Sequence, residues 1–300
     1  MAYVRLSVTD RCNLRCTYCM PERPDSWTAR SSHASIAEHI EALERIDERV
    51  GVHKIRFTGG EPLIRRDFTE LVRAIRARFN DIEICMTTNA VHLAEQAWDL
   101  AEAGISRVNI SFDSLRPERV AKLCGKDVLS RIIAGIDAAV EAGLTPVKLN
   151  TVLLRSLNLD ELPALVRFAA GRNLEIRFIE LMDIGDSPVC HKDEFVSADE
   201  AIALIEEEMR LVLLPGLRGV AQPARVDVGG RLRRIGFIRP VTQPFCGSCD
   251  RVRIDTLGQV HACLMAERPV AASFVESAFQ SKEAPSSSWQ RNASMCSIGG

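Results

Sequence analysis

Two patterns of hydrophobic spacing alternate along this chain, one typical of strands and one typical of helices. Runs of apolar, β-branched and aromatic residues predict strands at Tyr3–Ser7, Lys54–Thr58, Ile82–Thr87, Arg107–Phe112, Val147–Leu153 and Glu175–Glu180. Between them, apolar residues recur every three or four positions, which predicts amphipathic helices at Ile36–Val50, Phe68–Phe79, Leu93–Ala103, Val128–Ala142 and Asp160–Ala170. This alternation is typical of a parallel sheet curled into a full or partial barrel, whose active site lies at the C-terminal ends of the strands.

Residues at the helix ends support these assignments. Ser35 and Glu38 are three positions apart at the start of the first helix, as in a capping box. Gly51, Gly104 and Gly143 follow the last periodic residues of three helices, where a left-handed C-cap is usual.

The pattern changes after Glu180. Met182–Cys190 is predicted to be a loop and Ala198–Met209 a helix, and short strands with turns are predicted from residue 211 to residue 263. A poorly ordered linker is expected at Ser281–Asn292, which is rich in serine. The predicted fold class is α/β, with a partial (β/α)6-type parallel barrel over residues 1–190 and a smaller C-terminal α+β domain over residues 191–300.

Composition excludes several classes of partner. The chain has 300 residues and a formal net charge of −2, so no global field attracts nucleic acid or a membrane surface. The first residues, among them Arg5, Asp10 and Arg11, lack the apolar core of a signal peptide. No apolar run approaches the length of a membrane span. We therefore expect a soluble, cytoplasmic protein, in which disulfides would not be stable.

Three of the ten cysteines, Cys12, Cys16 and Cys19, have the spacing C-x3-C-x2-C. A four-iron cluster normally takes one thiolate per iron, so a triad leaves one iron open for a substrate or cosubstrate. Structural zinc is the alternative, but it usually requires four protein ligands, and the nearest downstream histidine is His33. The spacing favours a reactive iron–sulfur cluster.

A second triad, Cys246, Cys249 and Cys263, has the spacing C-x2-C-x13-C, which is common in zinc sites and leaves zinc and iron–sulfur equally open. Arg251 and Arg253 follow it and would share one face of a strand, where two guanidinium groups could bind phosphate. A solvated edge strand is the alternative for this pair. The remaining four cysteines are expected to be small buried hydrophobic residues or incidental surface thiols: Cys85, Cys124, Cys190 and Cys296.

The first triad is also the signature of radical S-adenosylmethionine (SAM) enzymes, which this chain resembles. The resemblance narrows to the MoaA family of GTP 3′,8-cyclases in four segments: residues 5–13, 56–62, 245–253 and 295–300. That family begins molybdenum cofactor biosynthesis. The resemblance implies an enzyme that converts GTP to (8S)-3′,8-cyclo-7,8-dihydroguanosine 5′-triphosphate through a 5′-deoxyadenosyl radical made from SAM.

The resemblance also implies cofactors and roles for individual residues. Two [4Fe-4S] clusters are expected, a SAM-cleaving one on Cys12, Cys16 and Cys19, and an auxiliary one on Cys246, Cys249 and Cys263. The expected SAM contacts are Tyr18, Gly60, Ser111 and Met182. The expected GTP contacts are Arg5, Arg56, Thr87, Lys148, Arg251, Val252 and Arg253. The expected catalytic residues are Arg177, from its place in an apolar strand, and Gly299 and Gly300 of the terminal Gly-Gly tail.

Partners and rivals follow from the same resemblance. It implies an electron donor and transfer of the product to the next enzyme of the pathway, cyclic pyranopterin monophosphate synthase, and it is compatible with a homodimer. The chain departs from the family by starting close to its first strand, by a short stretch between Cys263 and the tail, and by Asp250 where asparagine is common. Two alternatives remain: a radical SAM peptide maturase with an auxiliary cluster, and a regulatory protein with structural zinc.

Overall fold

The computed structural model describes residues 1–20, 27–184, 191–216, 220–266 and 268–270. Its helices are α1 Ile36–Val50, α2 Phe68–Arg78, α3 Leu93–Ala103, α4 Pro117–Cys124, α5 Leu129–Glu141, α6 Leu162–Gly171, α7 His191–Glu194 and α8 Ala198–Glu206. Its strands are β1 Ala2–Ser7, β2 Val52–Thr58, β3 Glu83–Thr88, β4 Arg107–Ser111, β5 Lys148–Val152, β6 Glu175–Ile179, β7 Leu211–Leu213, β8 Ala221–Val228, β9 Arg231–Ile238, β10 Arg251–Ile254 and β11 Val260–His261.

The first six strands form the predicted parallel barrel wall. They lie side by side in chain order, and every neighbouring pair from β1 to β6 is parallel. Each of these strands leads through at least one helix to the next, which is the connection that parallel strands require. The described strands do not close into a ring, since β11 and β7 stand at the two edges, so the barrel is partial as predicted.

Local sequence signals explain most element boundaries. Ser35 and Glu38 form the predicted capping box at the start of α1. Gly51 has a φ of 69°, and its N–H donates to the carbonyl of Asp47, so this glycine ends α1 in a conformation that side chains disfavour. The sequence prediction missed α4 and α7, and α6 starts after a short 3₁₀ turn, Leu159–Glu161, that the prediction had merged with it.

The strands that follow residue 210 extend the same sheet on both sides. Beyond β6 lie β9, which is parallel to it, and then β8 and β7, which are antiparallel. Beyond β1 lie β10, which is parallel to it, and then antiparallel β11. The expected C-terminal strands are therefore present, and they widen the barrel wall. The boundary at residue 190 stays a prediction.

Apolar side chains fill the layer between the sheet and the outer helices. Phe57 of β2 and Phe68 of α2 are buried and meet edge to face, with 5.2 Å between ring centroids. Burying a side chain of this size contributes about 1.5–3 kcal/mol. The alternate side chains of the same strands point the other way, toward the barrel interior, and that is where polar groups collect.

Glu180, immediately after β6, joins the barrel to the segments that follow it. It is buried, and its carboxylate accepts hydrogen bonds from the backbone N–H groups of Ala198, Val241 and Thr242 at 2.9–3.1 Å. A buried carboxylate with this many donors ties β6 to the start of α8 and to the end of β9.

Among the described helices, none combines the length and the apolar run that crossing a bilayer requires.

Candidate functional site

The barrel encloses one large cavity of about 1110 Å³. It runs from the segment that follows β1 to the first residues of the parallel strands. Of the described residues predicted for the first cluster, for SAM, for GTP and for catalysis, all but Val252 line it: Cys12, Cys16, Tyr18, Cys19, Gly60, Ser111, Met182, Arg5, Arg56, Thr87, Lys148, Arg177, Arg251 and Arg253. The structure thus gathers sequence-distant residues into one space.

The first cysteine triad is held against the end of α4. The N–H groups of Arg15 and Thr17 donate to the carbonyls of Cys124 and Leu123 at 3.0 and 2.9 Å. The Lys126 ammonium donates to the carbonyl of Asn13 at 2.9 Å. The cysteine loop therefore has a fixed backbone.

Donors around the sulfur atoms fit a thiolate-bound cluster. The Leu14 N–H and the Asn89 side-chain amide approach Cys12 Sγ at 3.4 and 3.7 Å. Hydrogen bonds of this kind stabilise thiolate charge and tune iron–sulfur clusters. These residues can hold the expected four-iron cluster through three thiolates.

Gly60 is required at its position by the packing of the chain on itself. A Cβ there would lie 2.0 Å from the carbonyl oxygen of Arg11. Gly60 N–H donates to Thr9 at 2.7 Å, and Glu61 N–H donates to Arg11 at 2.8 Å. The Gly-Gly-Glu loop thus packs directly on the chain leading into the cysteine triad.

Two buried carboxyl groups stand at this end of the cavity. Burial raises the pKa of Asp113 to about 6 and that of Glu61 to about 7. Tyr18 donates its hydroxyl to Asp113 at 2.8 Å, and Glu61 accepts from Thr88 and from the N–H of Asn89, each at 2.7 Å. Burial, followed by the neighbouring Asp113, raises the pKa of Tyr18 well above its usual value, so the phenol stays protonated.

The other end of the cavity is strongly basic. The register pairs Arg5 with Arg56 across β1 and β2, and Arg5 with Arg253 across β1 and β10. Burial lowers the pKa of Arg5 to about 10, and burial followed by the nearby Arg5 and Arg251 lowers the pKa of Arg253 well below its usual value. Guanidinium groups crowded in a buried space form a site that an anion would stabilise.

Aromatic rings support two of these cations. The Arg251 guanidinium lies 4.9 Å from the centroid of the Phe245 ring. Tyr3, two residues before Arg5 on β1, receives a hydrogen bond from Arg56 Nε and has the Lys54 ammonium 5.0 Å from its ring centroid. Such cation–π contacts help to hold the cationic groups in place.

Lys148 and Arg177 share a carboxylate. Lys148 Nζ lies 3.3 Å from Glu175, and Arg177 Nε donates to Glu175 at 2.6 Å. Burial, followed by the Arg177 charge, lowers the pKa of Lys148 to about 8. Arg177 faces the barrel interior, as its place in an apolar strand predicted.

The second triad lies beside the basic end. Cys246, Cys249 and Cys263 are half-buried, and burial raises the pKa of the Cys246 thiol, with Cys263 and Cys249 raising it further. The Met265 N–H donates to Cys263 Sγ at 3.4 Å. These three residues do not themselves line the cavity, but residues adjacent to them do: Phe245, Asp250 and Leu264.

In the described part of the chain, no group of three or more histidine, cysteine, aspartate or glutamate side chains is arranged to hold a metal ion.

Some predicted residues lie elsewhere. The Val252 side chain is fully buried in the apolar core, on the face of β10 opposite to Arg251 and Arg253, so only its backbone could meet a ligand in the cavity. Cys85 and Cys124 are buried, as expected of small apolar residues. The predictions for Gly299, Gly300, Cys190, Cys296 and the linker Ser281–Asn292 lie outside the described residues.

The sequence prediction missed several residues that line the cavity. Lys54 precedes Arg56 by two positions and Asn109 precedes Ser111 by two, so strand alternation alone would have placed them on the inner face. Asn150 follows Lys148 in the same way. Glu61 lies in segment 56–62, one of the four that resemble the family, but no role was predicted for it.

Two family models match the chain. Residues 6–169 match the Radical SAM superfamily, and residues 174–289 match Molybdenum Cofactor Synthesis C.

Curated relatives cover most of the chain. It is 39% identical over 272 residues to the GTP 3′,8-cyclase of Paenarthrobacter nicotinovorans, covering 87% of this chain and 77% of that protein. It is 39% identical over 268 residues to the GTP 3′,8-cyclase of Rhodopirellula baltica, covering 88% and 74%. The GTP 3′,8-cyclase of Listeria monocytogenes serovar 1/2a is 39% identical over 263 residues, covering 87% and 79%.

Solved structures share the fold at low identity. Streptococcus suis SuiB bound to the precursor peptide SuiA matches 69% of this chain with a TM-score of 0.56 and 19% identity, and the chain spans 45% of SuiB. anSMEcpe with bound AdoMet matches 66% of this chain and 55% of its own, with a TM-score of 0.51 and 18% identity. At such identity these likenesses establish the fold alone.

Proposed function

We propose that this chain, which belongs to the radical SAM superfamily and within it to the GTP 3′,8-cyclase family, converts GTP to (8S)-3′,8-cyclo-7,8-dihydroguanosine 5′-triphosphate. This reaction is the first step of molybdenum cofactor biosynthesis. The observation that carries the proposal is one cavity with the first cysteine triad at one end and a buried cluster of arginines at the other. A radical generator and a triphosphate site in the same space are the arrangement expected when the nucleotide itself is the substrate.

The cofactors are SAM and two [4Fe-4S] clusters, held by Cys12, Cys16 and Cys19 and by Cys246, Cys249 and Cys263. When bound, the first cluster and SAM supply the radical chemistry that removes hydrogen from C3′ of the GTP ribose before C3′ joins C8 of guanine. The protein's part is to hold both molecules in contact and to exclude water.

At the SAM end, Tyr18, Gly60, Ser111 and Met182 would form the walls that contact the cosubstrate. Asp113 fixes the Tyr18 ring through their hydrogen bond, and Glu61 fixes the turn at Asn89. Because both carboxyl groups are buried and already accept hydrogen bonds, their role is to hold this end of the cavity rigid.

At the basic end, Arg5, Arg56, Arg251 and Arg253 would bind the triphosphate. Their guanidinium groups make charge-assisted hydrogen bonds to phosphate without losing a proton. Thr87 and Lys148, together with the backbone of Val252, would complete the GTP contacts. Arg177 would act on the substrate from the opposite wall, and Glu175 would position Arg177 and Lys148 relative to each other.

The second cluster would bind the guanine end of GTP. Phe245 and Arg251 lie between this triad and the cavity and are in contact with each other, so they connect the two sites. Gly299 and Gly300 would enter the active site during the radical step, since residues without a Cβ can pass where a side chain would clash.

Partners follow from the reaction. The enzyme needs an electron donor and passes its product to cyclic pyranopterin monophosphate synthase. We place it in the cytoplasm, because its substrate and cosubstrate are cytoplasmic metabolites. The reaction is compatible with a homodimer. A peptide maturase is the alternative enzyme, but buried arginines beside the second triad have no role in that reaction.

The decisive experiment reconstitutes the protein anaerobically with iron and sulfide and incubates it with reductant, SAM and GTP. We expect 5′-deoxyadenosine and a cyclised nucleotide. When ATP replaces GTP, neither product should form in a comparable amount. Zinc in place of iron in the purified protein, or 5′-deoxyadenosine without any nucleotide product, would contradict the proposal.

A further inference from the structure

Asn109 carries a buried polar atom that the proposed contacts do not use. It is the middle residue of β4, is 8% exposed and lines the cavity. Its Oδ1 is fully buried and accepts no hydrogen bond from any residue in the described part of the chain. Leaving a buried acceptor unsatisfied costs about 1–3 kcal/mol, so such an atom inside a ligand cavity points to a donor on the ligand.

The register places Asn109 between the two ligand regions. Its neighbours across the sheet are Thr87 on β3 and Lys148 on β5, both at the basic end. The next residue on the same face of β4 is Ser111, at the SAM end, about 6.6 Å further along the strand. Asn109 is thus at the level where a nucleotide with its phosphates on the arginines reaches toward the first cysteine triad.

The chemistry at that level restricts the donor. Hydrogen is taken from C3′ in the proposed reaction, so the ribose must lie between the SAM end and the phosphate end of the cavity. The groups next to C3′ are the 2′- and 3′-hydroxyls, which donate hydrogen bonds, and the amide oxygen of Asn109 can only accept them.

We propose that Asn109 Oδ1 accepts a hydrogen bond from a ribose hydroxyl of GTP and so orients C3′ toward the SAM end. This inference rests on the proposed function and adds to it a residue that recognises the ribose. Asn150 has a similarly buried Oδ1 with no donor among the described residues, but its register partners are Ser111 on β4 and Arg177 on β6, and the pairing with Ser111 puts it at the SAM level.

Binding measurements test the proposal independently of turnover. Dissociation constants of GTP, 2′-deoxy-GTP and 3′-deoxy-GTP are measured for the reconstituted protein with SAM, and then for Asn109→Leu, which has the same shape without an acceptor. A neutral hydrogen bond is worth about 0.5–1.5 kcal/mol, so we expect the wild type to bind one deoxy analogue roughly two- to tenfold more weakly than GTP. Asn109→Leu should bind GTP and that analogue equally.

Asn109→Asp is the matched variant, because it keeps an acceptor of the same size. Its charge will weaken the binding of all three nucleotides, but the ratio of the dissociation constants of GTP and the deoxy analogue should be retained. With GTP deuterated at C3′, Asn109→Leu should also produce more 5′-deoxyadenosine that lacks deuterium, since a misaligned ribose uncouples SAM cleavage from hydrogen transfer.

Three outcomes would overturn the inference: equal wild-type affinity for all three nucleotides, unchanged discrimination in Asn109→Leu, or lost discrimination in Asn109→Asp. The first of these needs no variant, so a folding defect cannot hide the result. If the wild type discriminates the sugars but makes no cyclised product, the sugar contact stands and the proposed function fails.

Discussion

Arg253 is only 3% exposed, and its register partners are Arg5 on β1 and His261 on β11. A guanidinium in that position has lost much of its hydration on folding, and an anionic ligand would compensate for that loss. The same reasoning applies to Arg5, which stands beside it on β1. We therefore expect these residues, more than the net charge of −2, to determine which molecules bind in the cavity.

Replacing Arg251 or Arg253 with alanine should weaken GTP binding by roughly tenfold to a hundredfold, since a hydrogen bond to a charged group is worth about 1.5–3 kcal/mol. Calorimetry with GTP measures the effect, and SAM affinity should change little. Arg233→Ala is the control, because that guanidinium donates to Asn173 at 2.6 Å on the surface. Unchanged GTP affinity in both cavity variants would rule out phosphate binding by this pair.

Deleting Gly299 and Gly300 should leave SAM and GTP affinities nearly intact while the rate of cyclisation falls by orders of magnitude. The reason is that the tail is proposed to act on bound substrate, in space that only a residue without a Cβ can enter. Single-turnover product formation measures the rate. A truncated protein that cyclises GTP at the normal rate would show that the tail has no catalytic role.

His39 gives the folded protein a pH dependence. It is fully buried, with its Nε2 3.2 Å from Arg65, and burial, followed by the Arg65 charge, lowers its pKa to about 4. Its unfolded pKa is about 6.5, so the neutral form favours folding. The contribution of neutral His39 to the free energy of unfolding is fully present above pH 6.5. It is lost between pH 6.5 and about 4, by about 3 kcal/mol in all.

Urea unfolding of wild type and His39→Gln at pH 7.5 and pH 4.5 tests this. Glutamine keeps an acceptor for Arg65 and cannot titrate, so the variant should lose less stability on acidification than the wild type does. An identical loss in both proteins would mean that His39 does not carry the effect.

At the scale of whole elements, helix α5 depends on the absence of one side chain. A Cβ on Gly135 would lie 2.4 Å from the carbonyl oxygen of Ala90, in the turn between β3 and α3. Ala90 itself has a φ of 61°, a conformation that alanine adopts only at a cost, so this turn has little freedom to move away. The close contact sets how near α5 and α3 can pack.

Gly135→Ala should therefore destabilise the protein by about 1–3 kcal/mol, although alanine ordinarily favours a helix over glycine by about 1 kcal/mol. Thermal unfolding compares it with Gly171→Ala, at the end of α6, where a Cβ would meet no atom within 4 Å. The control should be neutral or stabilising. A stabilised Gly135→Ala protein would show that the Ala90 turn yields easily.

Elements with strong local periodicity were predictable, and those without it were not. α1 and α3 have the predicted boundaries because their apolar stripes run the full length of each helix. α4 begins at Pro117 and spans only eight residues, and α7 has only four. Helices of this length are too short to show a clear apolar period in the sequence. Within the site, motifs identified both triads, but Asn109 has no motif and becomes visible only when its register partners are known.

The molecule as a whole brings together two cysteine triads, which we propose hold clusters with different roles. The first triad is anchored to α4, and the second is adjacent to the basic end of the cavity. The sheet order that brings them to one cavity could not be read from the sequence, because the pairing of β10 with β1 and of β9 with β6 joins segments far apart in the chain.

Changing Cys12, Cys16 or Cys19 to alanine should abolish SAM cleavage, since the first cluster then lacks a ligand. Changing Cys246, Cys249 or Cys263 should spare some SAM cleavage and remove the cyclised product. Chromatographic assay of 5′-deoxyadenosine and nucleotide product separates the two effects, and Cys85→Ala, at a buried thiol outside both triads, is the control. Wild-type cyclisation by the Cys246 variant would show that the second cluster is dispensable.

The pairing of β1 with β10 also orders events during synthesis. β2 reaches β1 early, but the other edge of β1 has no partner until residues 251–254 have left the ribosome. Until then an apolar strand edge is exposed, which is a template for pairing with other chains. The Arg5–Arg253 pair can form only in the same late step, so the proposed triphosphate site is completed long after the first cysteine triad has been synthesised.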